Sequence, residues 1–376
     1  MSRKIIIPVV VLAVAAAAFF GVSKFMGGGS DNSRLTSTNI DMGAVPLPDT
    51  SATCGVDPGF LRLLCLIDLL KEGASPELIA QMEIPYSLAE AKNWSNLPAG
   101  AFPKRPGALL GEFDPEQLGL VKAIMMEAAS LTENEGFDEM MQTLNADDYI
   151  GAASTDYKAG YASANSYFAL LGAPAPTGTW QLYYGGHHLA FANTYTDGEL
   201  VGATPSFRGI EPFPTFEMNG RENIPLLQER DAFAALLQSL SPEQVEAAML
   251  EGTYRDIIAG PQNDDAVPEV QEGLSVSELS DDQKMRLLAA IETYVGDINA
   301  ADATAYMDKY RTELLDTVIG FSGTTELNSE DDYVRVHGPS LWLEFSLQSN
   351  KSTDEEGNHP HSVWRDRTDD YGGNTE

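Results

Sequence analysis

Apolar positions along this chain recur with two spacings, and the changes of spacing mark its elements. Asp114-Pro115-Glu116-Gln117 leads into LGLVKAIMMEAASL, Ser241-Pro242-Glu243-Gln244 into VEAAML, and Ser280-Asp281-Asp282-Gln283 into KMRLLAAIETYV. In each, a Ser or Asp oxygen is placed to take an orphan backbone amide while the Gln three residues on reaches back. Acidic residues in the first turn also suit the helix dipole. Helices are therefore predicted to begin near 115, 242 and 281. Ser75-Pro76-Glu77 opens a fourth, FLRLLCL (Phe60 to Leu66) reads as a buried helix, and 230–240 and 303–315 are further amphipathic stretches.

Alternation with a period of two falls in two other blocks. Trp180 to Tyr184, His187 to Tyr195 and Glu199 to Ala203 form the first, with Asp197-Gly198 as a hairpin signal between the last two. Tyr333 to His337, Leu341 to Leu347 and His361 to Asp366 form the second. In Tyr333 to His337 the two valines share one face, and Tyr333, Arg335 and His337 share the other. Leu341, Leu343, Phe345 and Leu347 make a core face, opposite Trp342, Glu344 and Ser346. Pairing across Gly338-Pro339 would give one greasy sheet face. The other would gather Arg335, His337, Trp342 and Glu344, which looks like the floor of a site. The interleaving predicts an α+β fold: a mostly antiparallel sheet bearing the histidine motifs, with several capped amphipathic helices packed on it.

Charge and the N-terminus place this domain. The net charge is −33, from 23 basic and 56 acidic residues. Such a surface repels phosphate backbones, so nucleic acid is not expected as a partner. Met1-Ser-Arg-Lys4 is a short basic lead, and Ile5 to Val22 follows without a charge. Residues 1–26 therefore read as an N-terminal signal anchor or signal peptide, 27–50 as a flexible tether, and 51–376 as a single extracytoplasmic domain. The expected locations are anchored in the inner membrane through the N-terminal helix, or secreted. Cys54 and Cys65 suit either a disulfide, which that compartment permits, or two thiols buried in a helix.

Chemistry is carried by histidine. The chain has five: His187, His188, His337, His359 and His361. All lie in strand-like segments, and none precedes Tyr184. In Asn358-His-Pro-His361 the two imidazoles of an extended segment point the same way, about 7 Å apart, a common way to offer two ligands to a transition metal. On a strand His187 and His188 would point to opposite faces unless Gly185-Gly186 bends the backbone. A shared site for iron, copper or zinc is the reading these positions support, with Glu344, Arg335, Asp366 and Arg365 as candidate catalytic side chains. Arg335 and Arg365 would bind an anionic substrate or orient the carboxylates. The alternative is structural: Arg335, Glu344, Arg365 and Asp366 form buried ion pairs that the histidines cap. There is no phosphate loop, dinucleotide fingerprint or G-x-S-x-G elbow.

The segments GTWQLYYGGHHLAFANTYTDGELVGATPSFRGIEP, DDYVRVHGPSLWLEF and NHPHSVWRDRTDDYG resemble, in that order, the domain-of-unknown-function 3500 family, over roughly residues 110–373. The resemblance marks His187, His188, His337, Glu344, His359, His361, Arg365 and Asp366 as family-type positions, and implies no activity. The expected function is a membrane-tethered, metal-dependent oxidoreductase or hydrolase acting on an unknown small molecule. A non-catalytic metal- or ligand-binding protein and a structural or interaction protein stand beside it.

Overall fold

Capping and burial explain where the helices lie. In the computed structural model, which describes residues 32–153, 160–349 and 358–373, the helices are α1 (Ser51–Cys54), α2 (Phe60–Gly73), α3 (Pro76–Met82), α4 (Leu88–Ala91), α5 (Pro115–Ala128), α6 (Gly136–Ala153), α7 (Leu227–Gln238), α8 (Pro242–Ala248), α9 (Asp281–Val295) and α10 (Ala300–Glu313). The three expected capping boxes close α5, α8 and α9, and Ser75 caps α3 through the Leu78 amide. Cys54 and Cys65 form a disulfide that ties α1 to α2.

One twelve-stranded sheet carries the fold. Its strands are β1 (Glu83–Ile84), β2 (Ala108–Leu109), β3 (Tyr167–Leu171), β4 (Thr179–Gly186), β5 (Leu189–Thr196), β6 (Glu199–Gly202), β7 (Ser206–Gly209), β10 (Leu274–Ser275), β11 (Val318–Ser322), β12 (Tyr333–His337), β13 (Leu341–Ser349) and β14 (Asn358–Asp366), and β8 (Phe216–Met218) and β9 (Arg221–Asn223) make a separate hairpin. The order is β1-β3-β4-β5-β7-β14-β13-β12-β11-β10, with β2 on β3 and β6 on β5. Every pair is antiparallel except β1–β3. The protein is α+β. The two strand blocks of the sequence meet at β7–β14, where His361 stands opposite Gly209 and Val363 opposite Phe207.

The two faces of the sheet differ. On one, Leu343, Phe345, Leu347, Val334, Val336 and Trp364 pack with α2, α5, α6, α7, α9 and α10 into the main core. The other carries a smaller core, including Tyr167, Tyr183, Phe207 and Val363, and is covered by connecting segments that bring in Trp94 and Ile257. The β12–β13 register puts Arg335 opposite Glu344 and His337 opposite Trp342, so the expected polar face forms.

Residues 1–26, expected as an anchor or signal, lie outside the described residues. Among the described residues no helix is long and apolar enough to cross a membrane. Of the segment 27–50, residues 32–50 are held against the domain: Thr36 exchanges backbone hydrogen bonds with the Asn165 amide side chain, the Ile40 amide donates to Ser163, and Lys122 donates to the carbonyls of Gly43 and Val45. Composition suggested a tether; specific partners on α5 and the 163–165 turn fix residues 32–50 of it.

Candidate metal centre

His187 and His188 do not lie on a strand. They are the two-residue turn that joins β4 to β5, flanked by the Gly186–Leu189 pair. His188 takes the left-handed conformation, φ 59°. The strand alternation expected for them therefore does not apply, and their rings stack at 3.7 Å. Gly185 is needed because the Tyr183 hydroxyl occupies the place a Cβ would take, and a Cβ on Gly186 would meet Ser166 Oγ at 2.8 Å.

The turn aims His188 at β14. His188, His359 and His361 are all buried, and one ring nitrogen of each lies within 4.8 Å of the other two. His188 Nε2 and His359 Nε2 are 2.8 Å apart. The ring centroids are 4.6 Å apart for His188–His359, 5.2 Å for His188–His361 and 4.6 Å for His359–His361. A tetrahedral ion with metal–nitrogen bonds of about 2.0–2.1 Å needs nitrogens about 3.4 Å apart, a spacing small side-chain adjustments reach. Gly209, opposite His361 on β7, leaves room for them: a Cβ there would lie 2.8 Å from His361 Cδ2 and 2.9 Å from His188 Cδ2.

Carboxylates face the outer ring nitrogens. His361 Nδ1 lies 2.8 Å from Asp256 Oδ1, with the Gln348 amide at 2.9 Å. An Nδ1–H donated to Asp256 leaves the lone pair on Nε2, which has no hydrogen-bond partner among the described residues. His359 Nδ1 is 3.9 Å from Glu211 Oε2. His187 Nδ1 is 2.6 Å from Asp147 Oδ1 on α6. Burial, then the neighbouring imidazoles, push His188 well below the usual histidine range, so it is neutral and able to coordinate.

The other expected site residues are placed differently. Glu344 is fully buried on the triad's face, but four donors consume its oxygens: the amides of Ile258 and Ala259, the Trp342 indole and the Tyr333 hydroxyl. It pins the segment that delivers Asp256 to His361, so it acts on the triad through another residue. His337 packs edge-on against Trp342 at 5.0 Å. Through Trp342 it aligns with Arg365, four residues along β14 from His361, or about 13 Å. Burial and two nearby arginines lower it to about 4. Arg335 is buried between Tyr254 and Trp342 and paired with Glu272. Arg365 is clamped by Asp264 and Asp370. Asp366 projects to the helix side, where Lys309 and Tyr310 of α10 hold it. The triad thus takes three of the five histidines; Arg335 and Arg365 do form ion pairs, but with Glu272, Asp264 and Asp370 rather than with Glu344 and Asp366.

A family model described as a protein of unknown function (DUF3500) matches residues 64–373. The chain belongs to the DUF3500 family. The match begins at residue 64, well ahead of the 110 expected from the motifs, and so takes in most of α2 as well as α3 and α4. Searches of curated proteins and of solved structures give no match. In this DUF3500 protein, Arg208, Gly209 and Glu211 all fall in the SFRGIEP stretch that carries the resemblance, so a signal for them was present. Asp256 and Asp147 had none of that kind; only the tertiary fold brings them to the imidazoles.

Proposed function

We propose that this DUF3500 protein is a metal-dependent enzyme, working outside the cytoplasm on a small molecule, with His188, His359 and His361 as metal ligands. The observation that carries this is the convergence of three buried imidazoles, two of them backed by carboxylates, with His361 Nε2 left unpaired among the described residues. Three imidazole nitrogens suit zinc, copper or iron, and leave coordination positions for a substrate. A zinc ion would supply Lewis acidity for hydrolysis, and iron or copper would supply electron transfer for oxidation. The Cys54–Cys65 disulfide favours an oxidising compartment. The basic lead and apolar run of residues 1–26 favour export, with retention at the membrane if that segment is uncleaved.

The test is the metal content of tag-free exported protein, measured by elemental mass spectrometry. About one equivalent of one transition metal, lost in both His359→Ala and His361→Ala while the far-ultraviolet circular dichroism is unchanged, is the expected result. No metal after incubation with zinc, iron, copper and manganese salts would leave the 2.8 Å His188–His359 contact as an ordinary hydrogen bond.

A second reading, metal capture without catalysis, is favoured by burial: none of the three ligands is more than 6% exposed. Azide added to the copper-loaded protein separates the two. A new charge-transfer band marks an open position, and an unchanged spectrum marks a closed one.

A further inference from the structure

Beside the triad lie two polar side chains that neither the fold nor the metal ligands use fully. Arg105 is 4% exposed. Its close hydrogen bonds go to carbonyl oxygens: Nη1 to Phe102 at 3.0 Å, and Nη2 to Ser95 at 2.9 Å and to Leu97. Among the described residues it makes no ion pair, and its Nε has no partner. The neighbouring carboxylate, Asp147, is engaged by His187. In a chain with a net charge of −33, a buried guanidinium without a carboxylate against it is out of pattern.

Tyr183 is 2% exposed, and its hydroxyl interacts with that guanidinium but makes no close hydrogen bond among the described residues. Burial pushes the phenol up to about 12, so it keeps its proton and remains a donor. Both groups belong to the region of the histidine turn. The Tyr183 hydroxyl lies against Gly185, two residues before His187. The segment that Arg105 braces crosses the turn, where the His188 amide reaches the Asn96 carbonyl at 3.4 Å. Arg105 Nε, the Tyr183 hydroxyl and His361 Nε2 are thus three buried unpaired polar atoms around one hairpin end. Leaving a buried polar atom unmet is costly, so their coincidence points to a bound group.

We propose that Arg105 and Tyr183 form a carboxylate-binding subsite beside the imidazole triad, and that the substrate of this site is a small carboxylate. One N–H and one O–H donor match the two oxygens of a carboxylate, and its single charge neutralises Arg105. A phosphate dianion would bring a further charge and further oxygens that these two donors do not satisfy. Naming the carboxylate as substrate rests on the metal-enzyme reading; the anion subsite does not.

Calorimetric titration of the full chain with acetate, formate and oxalate tests this, in the chelator-treated and zinc-loaded forms. Wild type is compared with Tyr183→Phe and Arg105→Lys. The expected result is saturable binding of at least one of these anions in both forms, weakened about tenfold in Tyr183→Phe and at least as much in Arg105→Lys. Tyr183→Phe keeps the ring and removes a hydroxyl that interacts with Arg105 itself, so it decides the matter even if Arg105→Lys does not fold. Absence of saturable binding in both forms, or binding that Tyr183→Phe leaves unchanged, overturns the subsite. Carboxylate binding that persists in a protein unable to hold zinc keeps the subsite and removes the metal-enzyme reading.

Discussion

Gly209 shows how narrowly the centre is built at the scale of single residues. It lies opposite His361 on the neighbouring strand, and its missing Cβ is the space that the His188 and His361 rings share. Gly209→Ala is expected to leave the fold intact and to weaken metal binding, because the added methyl group must push one imidazole aside. Competition with a chelator of known affinity measures this. Asp256 acts from the other side of the same ring. Asp256→Asn removes a carboxylate that orients His361 and is expected to lower metal affinity about 10–100-fold with little change in melting temperature. An equal loss in an exposed carboxylate elsewhere, such as Asp281→Asn, would reduce this to a general charge effect.

Caps and covalent ties set the boundaries of the elements. Ser280 Oγ accepts the Gln283 amide while Gln283 answers to the Ser280 amide, so both ends of that exchange hold the first turn of α9. Ser280→Ala is expected to cost about 1 kcal/mol in urea unfolding, without changing metal content. The disulfide closes a short loop between α1 and α2, and the paired Cys54→Ser, Cys65→Ser variant is expected to lose about 3 kcal/mol. A melting temperature unaffected by reduction would show that α1 is held by packing alone. The hairpins were legible in advance because local chemistry fixes them: Asp197-Gly198 turns β5 into β6, and the β12–β13 pair forms across Gly338-Pro339. The turn at His187-His188 was not legible, since the apolar alternation of 189–195 extends backwards through it without a turn residue other than the two glycines.

Electrostatics acts on the whole molecule. Behind the triad, on the helix side of β7, Arg208 meets Glu139 at 2.5 Å and Asp297 at 2.6 Å, with Glu135 and Glu229 close by. Burial, more than their mutual repulsion, raises the four carboxyl groups; Glu139 is pushed up to about 8 and Glu135 to about 9. Asp148, buried against Ser163, is raised to about 7. In the unfolded chain these groups release their protons near 4, so between there and pH 9 the folded state binds more protons. Stability must then fall as pH rises. His188 and His337, both lowered by burial, act in the opposite sense below about 6.5. The clear window is therefore pH 6.5 to 9. There, chelator-treated protein is expected to lose stability with rising pH, by at most about 1.4 kcal/mol per pH unit for each proton involved. Urea midpoints across that range check the sign, and a rising midpoint would refute it.

Local sequence determined the α+β class, the capped helices, the faces of β12 and β13, and the fact that His359 and His361 look the same way, because caps, turns and alternation act over a few residues. Which histidines meet was decided by the tertiary fold. The β7–β14 pairing carries the first strand block onto the second and brings His188 to two imidazoles about 170 residues away. His337 beside Trp342 and Asp366 toward the helices follow instead from the β12–β13 hairpin and from alternation along β14. A residue's face follows from its position in a strand, but its neighbour across the sheet follows from strand order, and strand order is settled by packing the whole core.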